Sequence, residues 1–164
     1  MRIFRDSTSP ASIPMPGADG VFGYANGRYA WTQADARRFT TAGLQVAHID
    51  VNGTAWEEAA ILDVERGDAT PAQAPDWIRS RNAFRGDAVV YCALDSLPAL
   101  FAACSRLTEP WRLWVADWTG VQRMPAITGC PANVRLLGTQ YRSTPGYDES
   151  LIIDDAWHRA PEKT

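Results

Sequence analysis

Residues 59–65 read Ala-Ala-Ile-Leu-Asp-Val-Glu, and residues 88–93 read Ala-Val-Val-Tyr-Cys-Ala. Both stretches are continuously apolar at their centres instead of alternating with polar residues, which is typical of parallel strands covered on both faces. Short apolar runs also occur at residues 2–4, 20–24, 44–50, 112–116, 134–140 and 151–153. The sequence therefore predicts eight strands, most of them parallel.

Helix-forming segments separate some of these strands. Thr32 is followed three residues later by Asp35, a capping pattern that predicts a helix up to about residue 41. Thr70 and Pro71 begin a second helix that extends to about residue 82, and Pro75 predicts that its first turn is irregular. A third helix is predicted over residues 96–107. Alternating strands and helices are typical of parallel β/α units.

Two architectures fit this order, a doubly wound open sheet and a closed barrel of the (β/α)8 type. An open sheet would need about five or six strands, whereas eight strands would close a barrel. A full barrel takes about 250 residues, so a chain of 164 residues has to lack several helices. Residues 51–58 and the segments after Trp118 and Tyr141 carry no helix pattern. We therefore predict an α/β fold, a trimmed (β/α)8 TIM-like barrel, forming one domain over residues 1–164.

Composition excludes several classes of protein. Hydrophobic residues make up 46% of the chain and charged residues 21%, which argues against disorder. The net charge is -3 and no basic block is present, so nucleic acid is not an expected partner. No apolar run reaches the roughly 20 residues that cross a bilayer. The first residues do not resemble a secretory signal, and we expect neither a membrane partner nor a signal peptide.

The sequence predicts neither a metal ion nor a cofactor. Cys92, Cys104 and Cys130 are spaced neither as a disulfide framework nor as a metal knuckle, and we interpret them as buried thiols. His48 and His158 lie far apart in the chain, so no histidine-rich metal site is visible. His48 stands inside an apolar strand and is interpreted as a buried imidazole.

Polar side chains follow the predicted strands at their carboxyl ends, where ligand sites of parallel β/α folds lie. They are Asp6, Asn26, Asp50, Asn52, Asp63, Glu65, Asp117, Gln140 and Tyr141. Residues two apart on a strand point to the same face, so Asp63 and Glu65 should share one small space. In such a pair the proton affinity of one member is raised. A neutral carboxyl group beside a carboxylate is the pair of groups that glycoside hydrolysis uses.

Four motifs occur in a fixed order along the chain: Asp63-Val-Glu65, Leu113-Trp-Val-Ala-Asp-Trp118, Gln140-Tyr141 and Gly146-Tyr-Asp148-Glu-Ser150. In this order they resemble family 25 of the glycoside hydrolases, the lysozyme-type muramidases. The similarity is greatest to the short glycoside hydrolase-like variants of actinobacteria and their phages. The resemblance implies a barrel of five β/α units followed by three strands with little helix between them.

The resemblance also implies roles for individual residues. Glu65 would be the general acid, and Asp63 its nucleophilic or electrostatic partner. Asp6 and Asp148 would complete an acidic ring that positions substrate, water or the developing positive charge. The substrate-binding residues would be Tyr24, Tyr91, Trp114, Asp117, Trp118, Gln140 and Tyr141. The implied chemistry uses no cofactor and no metal.

Several alternatives stay open at this stage. The resemblance implies an enzyme that cleaves bacterial cell-wall peptidoglycan. The alternative is a catalytically silent carbohydrate-binding or phage virion component on the same fold. Asp63 and Glu65 could be ordinary rim residues, and Asp148 could belong to a turn that begins at Pro145. Expected partners are the cell-wall glycan and other virion proteins. The expected location is a phage virion, or the host cytoplasm with release at lysis.

Overall fold

The computed structural model describes residues 1–153. Eight strands close into one barrel in which sequential strands are neighbours, as the sequence predicts. The strands are β1 (Arg2–Asp6), β2 (Gly20–Tyr24), β3 (Gln45–Asp50), β4 (Ile61–Asp63), β5 (Val89–Ala93), β6 (Trp111–Ala116), β7 (Val134–Thr144) and β8 (Tyr147–Ile152).

Strands β1 to β7 run parallel to their neighbours in sequence, but β8 runs antiparallel to both β7 and β1. The turn at Pro145 and Gly146 reverses the chain, and Gly146 has a φ of 106° that favours glycine. Asp148 therefore lies in β8 and not in the turn, where it pairs with Asp6 of β1. The antiparallel direction brings the start of β8 to the carboxyl ends of the other strands.

The three described α-helices are α1 (Gln33–Thr41), α2 (Ala74–Phe84) and α3 (Leu97–Ala103). Thr32 and Asp35 form the predicted capping box of α1. The predicted irregular start of the second helix is a 3-10 turn over Pro71–Gln73 that runs directly into α2. The third helix ends four residues before the predicted Leu107, which is nevertheless buried in the same apolar cluster as Leu100. Burial of Leu107 beyond the helix end explains why the apolar pattern overestimated the length of α3.

Side chains of the barrel strands alternate between two apolar layers. Phe4, Phe22, Ile61 and Trp114 point inward and fill the barrel interior. The outward strand side chains include Leu62, Val90, Leu113 and Val115, and they form one cluster with Trp77 and Ile78 of α2 and Leu97 and Leu100 of α3. A smaller cluster forms under α1. This filled interior supports the residues that stand at the carboxyl rim.

The segments from β3 to β4 and from β6 to β7 contain no helix, as predicted, and β7 joins β8 by a hairpin. Cys130 lies in the segment after β6 and is exposed, so its interpretation as a buried thiol is wrong, whereas Cys92 and Cys104 are buried. His48 is only half-buried, because its strand carries no covering helix on the β4 side. No helix within residues 1–153 combines the length and apolarity needed to cross a membrane.

Candidate active site

A cavity of about 110 Å³ opens at the carboxyl ends of the barrel strands. The four carboxylates predicted to be catalytic all line it. Its full lining is Asp6, Tyr24, Ile49, Asp63, Glu65, Tyr91, Trp114, Trp118, Gln140 and Asp148. The structure thus brings together all of the predicted site residues except Asp117 and Tyr141.

Asp63 and Glu65 face the same space, as the two-residue period of a strand predicts. Asp63 ends β4 on the face that carries Ile61, while Leu62 and Val64 pack outward beneath the helices. Asp63 is buried and Glu65 is exposed at the cavity. One carboxyl is therefore held within the barrel while the other remains open to an incoming ligand.

Asp68 is a third carboxylate at this place, and sequence reasoning did not single it out. Carboxylate oxygens of Asp63, Glu65 and Asp68 lie within 4.8 Å of one another. The chain turns back after Glu65 because Gly67 adopts a φ of 100°, and the Asp68 N–H donates to the Glu65 carbonyl at 3.2 Å. In the sequence, the glycine just before Asp68 was the signal for a turn that could bring this carboxylate back toward Glu65. Oxygens at this spacing could hold a divalent cation, although the sequence predicted no metal.

Burial raises the pKa of all four carboxyl groups predicted to be catalytic. The pKa values of Asp6 and Asp63 lie well above the ordinary aspartate value because of burial, and the neighbouring carboxylates Asp148 and Glu65 raise them further. Burial also raises the pKa of Glu65 and of Asp148. Like charges in one cavity resist joint ionisation. The four carboxyls together therefore retain protons at pH values where free carboxyls would be ionised.

A hydrogen-bond chain fixes one side of the cavity. The Tyr91 hydroxyl donates to Gln140 Oε1 at 2.5 Å, and Gln140 Nε2 donates to Asp6 Oδ1 at 3.0 Å. Asp63 Oδ1, in contrast, is buried and has no hydrogen-bond partner among residues 1–153. Buried polar atoms are rarely left unpaired, so this oxygen is a contact that a ligand in the cavity would satisfy.

Aromatic side chains form the floor and one edge of the cavity. The Trp114 ring lies 4.6 Å from Phe22 and 4.3 Å from Tyr91 between centroids, and its Nε1 donates to Ser150 Oγ at 3.1 Å. Trp114 is only 1% exposed, whereas Trp118 is 52% exposed. Trp114 therefore supports the carboxylates from below, and Trp118 offers an open face on which a sugar ring could stack.

Tyr141 and Asp117 lie outside this cavity. Tyr141 follows Gln140 on β7 at a bulge, where the register against β8 shifts between Gln140 and Arg142. The Tyr141 hydroxyl donates to Glu149 Oε2 at 3.0 Å and accepts from Gln122 Nε2 at 2.9 Å on the outer side. The Asp117 N–H donates to the Gln140 carbonyl at 2.9 Å beyond the end of β6. Neither residue lines the central cavity.

Asp50 builds the rim of the barrel instead of lining the cavity. It is fully buried at the end of β3, where it organises the helix-free connection to β4. Its two carboxylate oxygens accept hydrogen bonds of 2.6–2.9 Å from Asn26 Nδ2, Asn52 N, Gly53 N, Ala55 N and Trp77 Nε1. One carboxylate thereby joins four segments of the chain.

Two larger cavities adjoin the central one. One of about 320 Å³ shares Tyr24, Asp63 and Glu65 with it, and another of about 310 Å³ shares Tyr24, Asp6 and Asp148. The carboxylates thus stand between two spaces, each near the lower end of the range of about 300–1,000 Å³ that small-ligand sites occupy. This arrangement could accommodate a chain-like ligand on both sides of the acid pair.

Fold and site together define a closed, mostly parallel eight-stranded barrel with an acidic cavity at the carboxyl ends of its strands. The fold is similar to that of a muramidase from Acremonium alcalophilum, with a TM-score of 0.56, 96% of each chain covered and 15% sequence identity. No protein-family model and no curated protein matches the sequence. The structural similarity shows a shared fold, and it confirms the barrel expected from the resemblance to lysozyme-type muramidases.

Proposed function

We propose that this protein is a glycoside hydrolase of the muramidase type that cleaves the glycan of bacterial peptidoglycan. The observation that carries the proposal is the shared cavity of Asp63 and Glu65, in which both carboxyls have raised pKa values. Glycosidases need one protonated and one ionised carboxyl on either side of the scissile bond. The muramidase fold and the order of the four sequence motifs favour this substrate over other glycans.

We infer complementary roles for the two groups from their different exposure. Glu65 is exposed toward the ligand space and donates its proton to the departing glycosidic oxygen as the bond from the sugar carbon breaks. The two carboxyls have raised pKa values and hold one proton between them in the active form. With that proton on Glu65, the ionised Asp63 stabilises the positive charge that develops on the sugar ring, either by its charge or by bonding to the ring carbon. Asp6 and Asp148 line the same space and, when ionised, add negative charge beside the sugar ring. Water then adds to the sugar carbon, displaces Asp63 where a bond to it has formed, and gives its proton to the Glu65 carboxylate, which is thereby restored.

Release of reducing ends from purified peptidoglycan tests the proposal directly. We expect the protein to release them without added metal or cofactor, and to bind the same wall preparation in a parallel sedimentation assay. Binding without release would overturn the enzymatic proposal and support the catalytically silent carbohydrate-binding alternative. Delivery by a phage particle, contacts with virion proteins and release at host lysis stay predictions from the sequence.

The pH profile gives a second test, because the Asp68 carboxylate helps to raise the pKa of Glu65 beyond the effect of burial. A general acid loses activity as the pH rises through its pKa, so the alkaline limb of kcat/KM should follow Glu65. Asp68→Asn removes a nearby negative charge, lowers the pKa of Glu65 and should move this limb to lower pH. Asp76→Asn, at an exposed site on α2, is the matched control. An alkaline limb that Asp68→Asn leaves in place or moves upward would exclude Glu65 as the acid.

A further inference from the structure

The larger cavity beside Asp63 and Glu65 contains a single cationic side chain. Its lining is Thr8, Tyr24, Asn26, Gly27, Arg28, Tyr29, Val51, Asn52, Asp63, Glu65, Gly67 and Asp68. Three of these residues are acidic, and Arg28 is the one basic member. A cation in such surroundings would ordinarily be expected to pair with a carboxylate of the same cavity.

Arg28 makes no such pair. Within residues 1–153 its guanidinium takes part in no hydrogen bond or ion pair. It lies over the ring of Tyr29, with 5.4 Å between the guanidinium carbon and the ring centroid. Arg28 is exposed, and Tyr29 is 46% exposed. The guanidinium donors are thus available to a ligand in the cavity, while the ring beside them holds the cation by its electron-rich face.

The backbone that carries Arg28 is anchored on both sides. Asn26 Nδ2 donates to Asp50 Oδ1 at 2.8 Å, and Asn26 Oδ1 accepts from the Val51 N–H at 3.0 Å. Gly27 has a φ of 76°, and a Cβ there would lie 2.6 Å from Val51 Cγ2, so this position requires glycine. On the other side of Arg28, the Trp31 N–H donates a hydrogen bond to the Tyr24 carbonyl at 2.8 Å. The position of Arg28 beside the acid pair is therefore built into the rim.

We propose that Arg28, supported by Tyr29, binds a carboxylate carried by the glycan next to the bond that is cleaved. This inference rests on the proposed function and deepens it. The arginine fork matches a carboxylate in shape and charge, and such charge-assisted hydrogen bonds are stronger than neutral ones. The same carboxylate is repelled by Asp63, Glu65 and Asp68, so the one cation of the cavity determines where a charged glycan can lie. Arg28 is thus a specificity residue that selects charged over uncharged glycans.

The test compares two glycans of nearly the same shape, one charged and one neutral. Peptide-free glycan strands with free lactyl carboxylates are set beside the same strands after carbodiimide-activated coupling of the carboxylates to ammonia, which gives primary amides and releases the urea. We expect Arg28→Ala to raise KM for the carboxylated strands relative to the amidated ones by about 10-fold, with a much smaller change in kcat. Arg28→Lys should recover only part of the preference for carboxylated strands, because an ammonium cannot form the bidentate pair of hydrogen bonds that a guanidinium makes with a carboxylate.

Arg85→Ala is the matched control. Arg85 is also an exposed arginine over an aromatic ring, 5.2 Å from the Phe84 centroid, and Phe84 is 46% exposed as Tyr29 is. Arg85 lines none of the three cavities at the acidic rim. Its substitution should leave the preference between the two glycans as in the parent protein.

Intact peptidoglycan distinguishes the two sources of the carboxylate. There the lactyl group is bound to peptide and the free carboxylates belong to the peptides. An Arg28→Ala effect on peptide-free strands alone identifies the carboxylate of the sugar, and an effect on intact wall alone identifies that of the peptide. An Arg28→Ala variant with the parent's preference on all of these substrates would overturn the inference.

Calorimetric titration of both glycans into the parent and the Arg28→Ala protein separates this inference from the proposed function. A protein that hydrolyses nothing but binds the carboxylated strands through Arg28 would refute the hydrolase and retain the binding site. A protein that hydrolyses both glycans without any contribution of Arg28 to affinity would support the hydrolase and refute the binding site. Equal affinities of the parent protein for the two glycans would also refute the inference.

Discussion

Replacing Glu65 by Gln is expected to lower kcat for release of reducing ends from peptidoglycan by about 10²–10⁴-fold, the usual contribution of a positioned general acid. The amide has nearly the same shape as the carboxyl group but cannot transfer a proton to the departing oxygen. Glu65 is exposed, so its replacement should leave the free energy of unfolding almost unchanged. The measurement is initial rate at saturating glycan, together with thermal unfolding of both proteins.

The control for this variant is Glu57→Gln, because Glu57 is exposed and lines none of the three rim cavities. It makes the same chemical change without touching the acid pair, so its rate should equal that of the parent. Binding of Glu65→Gln to the wall preparation should persist, since stacking on Trp118 and the adjoining cavities do not depend on the proton. A Glu65→Gln protein with the parent's rate would remove Glu65 from the mechanism.

The second large effect is on stability and comes from Asp50. Asp50→Asn is expected to lower the free energy of unfolding by about 3–5 kcal/mol, as for other buried charged groups that lose their hydrogen-bond partners. Both Asp50 oxygens accept N–H donors, with Trp77 Nε1 and the Ala55 N–H sharing Oδ2. An amide nitrogen in either position would face these donors and leave them buried and unpaired.

Thermal unfolding followed by circular dichroism measures this effect, and a loss of this size corresponds to a fall in Tm of about 6–20 °C. Asn26→Ala removes one of the five donors to Asp50 and should cause a smaller fall. Asp76→Asn, which loses only its exposed pair with Arg79, provides a comparison outside this cluster. A Tm for Asp50→Asn within a degree or two of the parent would contradict the structural role of Asp50.

Much of the fold follows from local sequence patterns. Apolar runs such as residues 88–93 predict buried strands because each strand of the barrel is covered by interior side chains on one face and by helices or loops on the other. The start of α1 is predicted by Thr32 and Asp35, since a capping box involves residues only three apart. The shared orientation of Asp63 and Glu65 is equally local, because it depends only on the two-residue period of an extended chain.

Features that depend on register between distant segments could not be predicted in this way. The hydrogen-bond chain from Tyr91 through Gln140 to Asp6 joins residues that are 49 and 134 positions apart. The same apolar run can be a parallel or an antiparallel strand, so the direction of β8 and the place of Asp148 at the acidic rim were decided by closure of the barrel.

The sequence by itself therefore determined the class of fold, the acid pair and the absence of covering helices after β3 and β6. Only the tertiary structure decided which rim side chains share the cavity. Gln140 lines it, and Asp68 lines the adjoining cavity beside Glu65. Tyr141 points to the outer side, and Asp50 holds the β3–β4 connection. The physical reason is that periodicity is a property of neighbouring residues, whereas burial, pKa and hydrogen bonding at the rim depend on strands that meet only when the barrel closes.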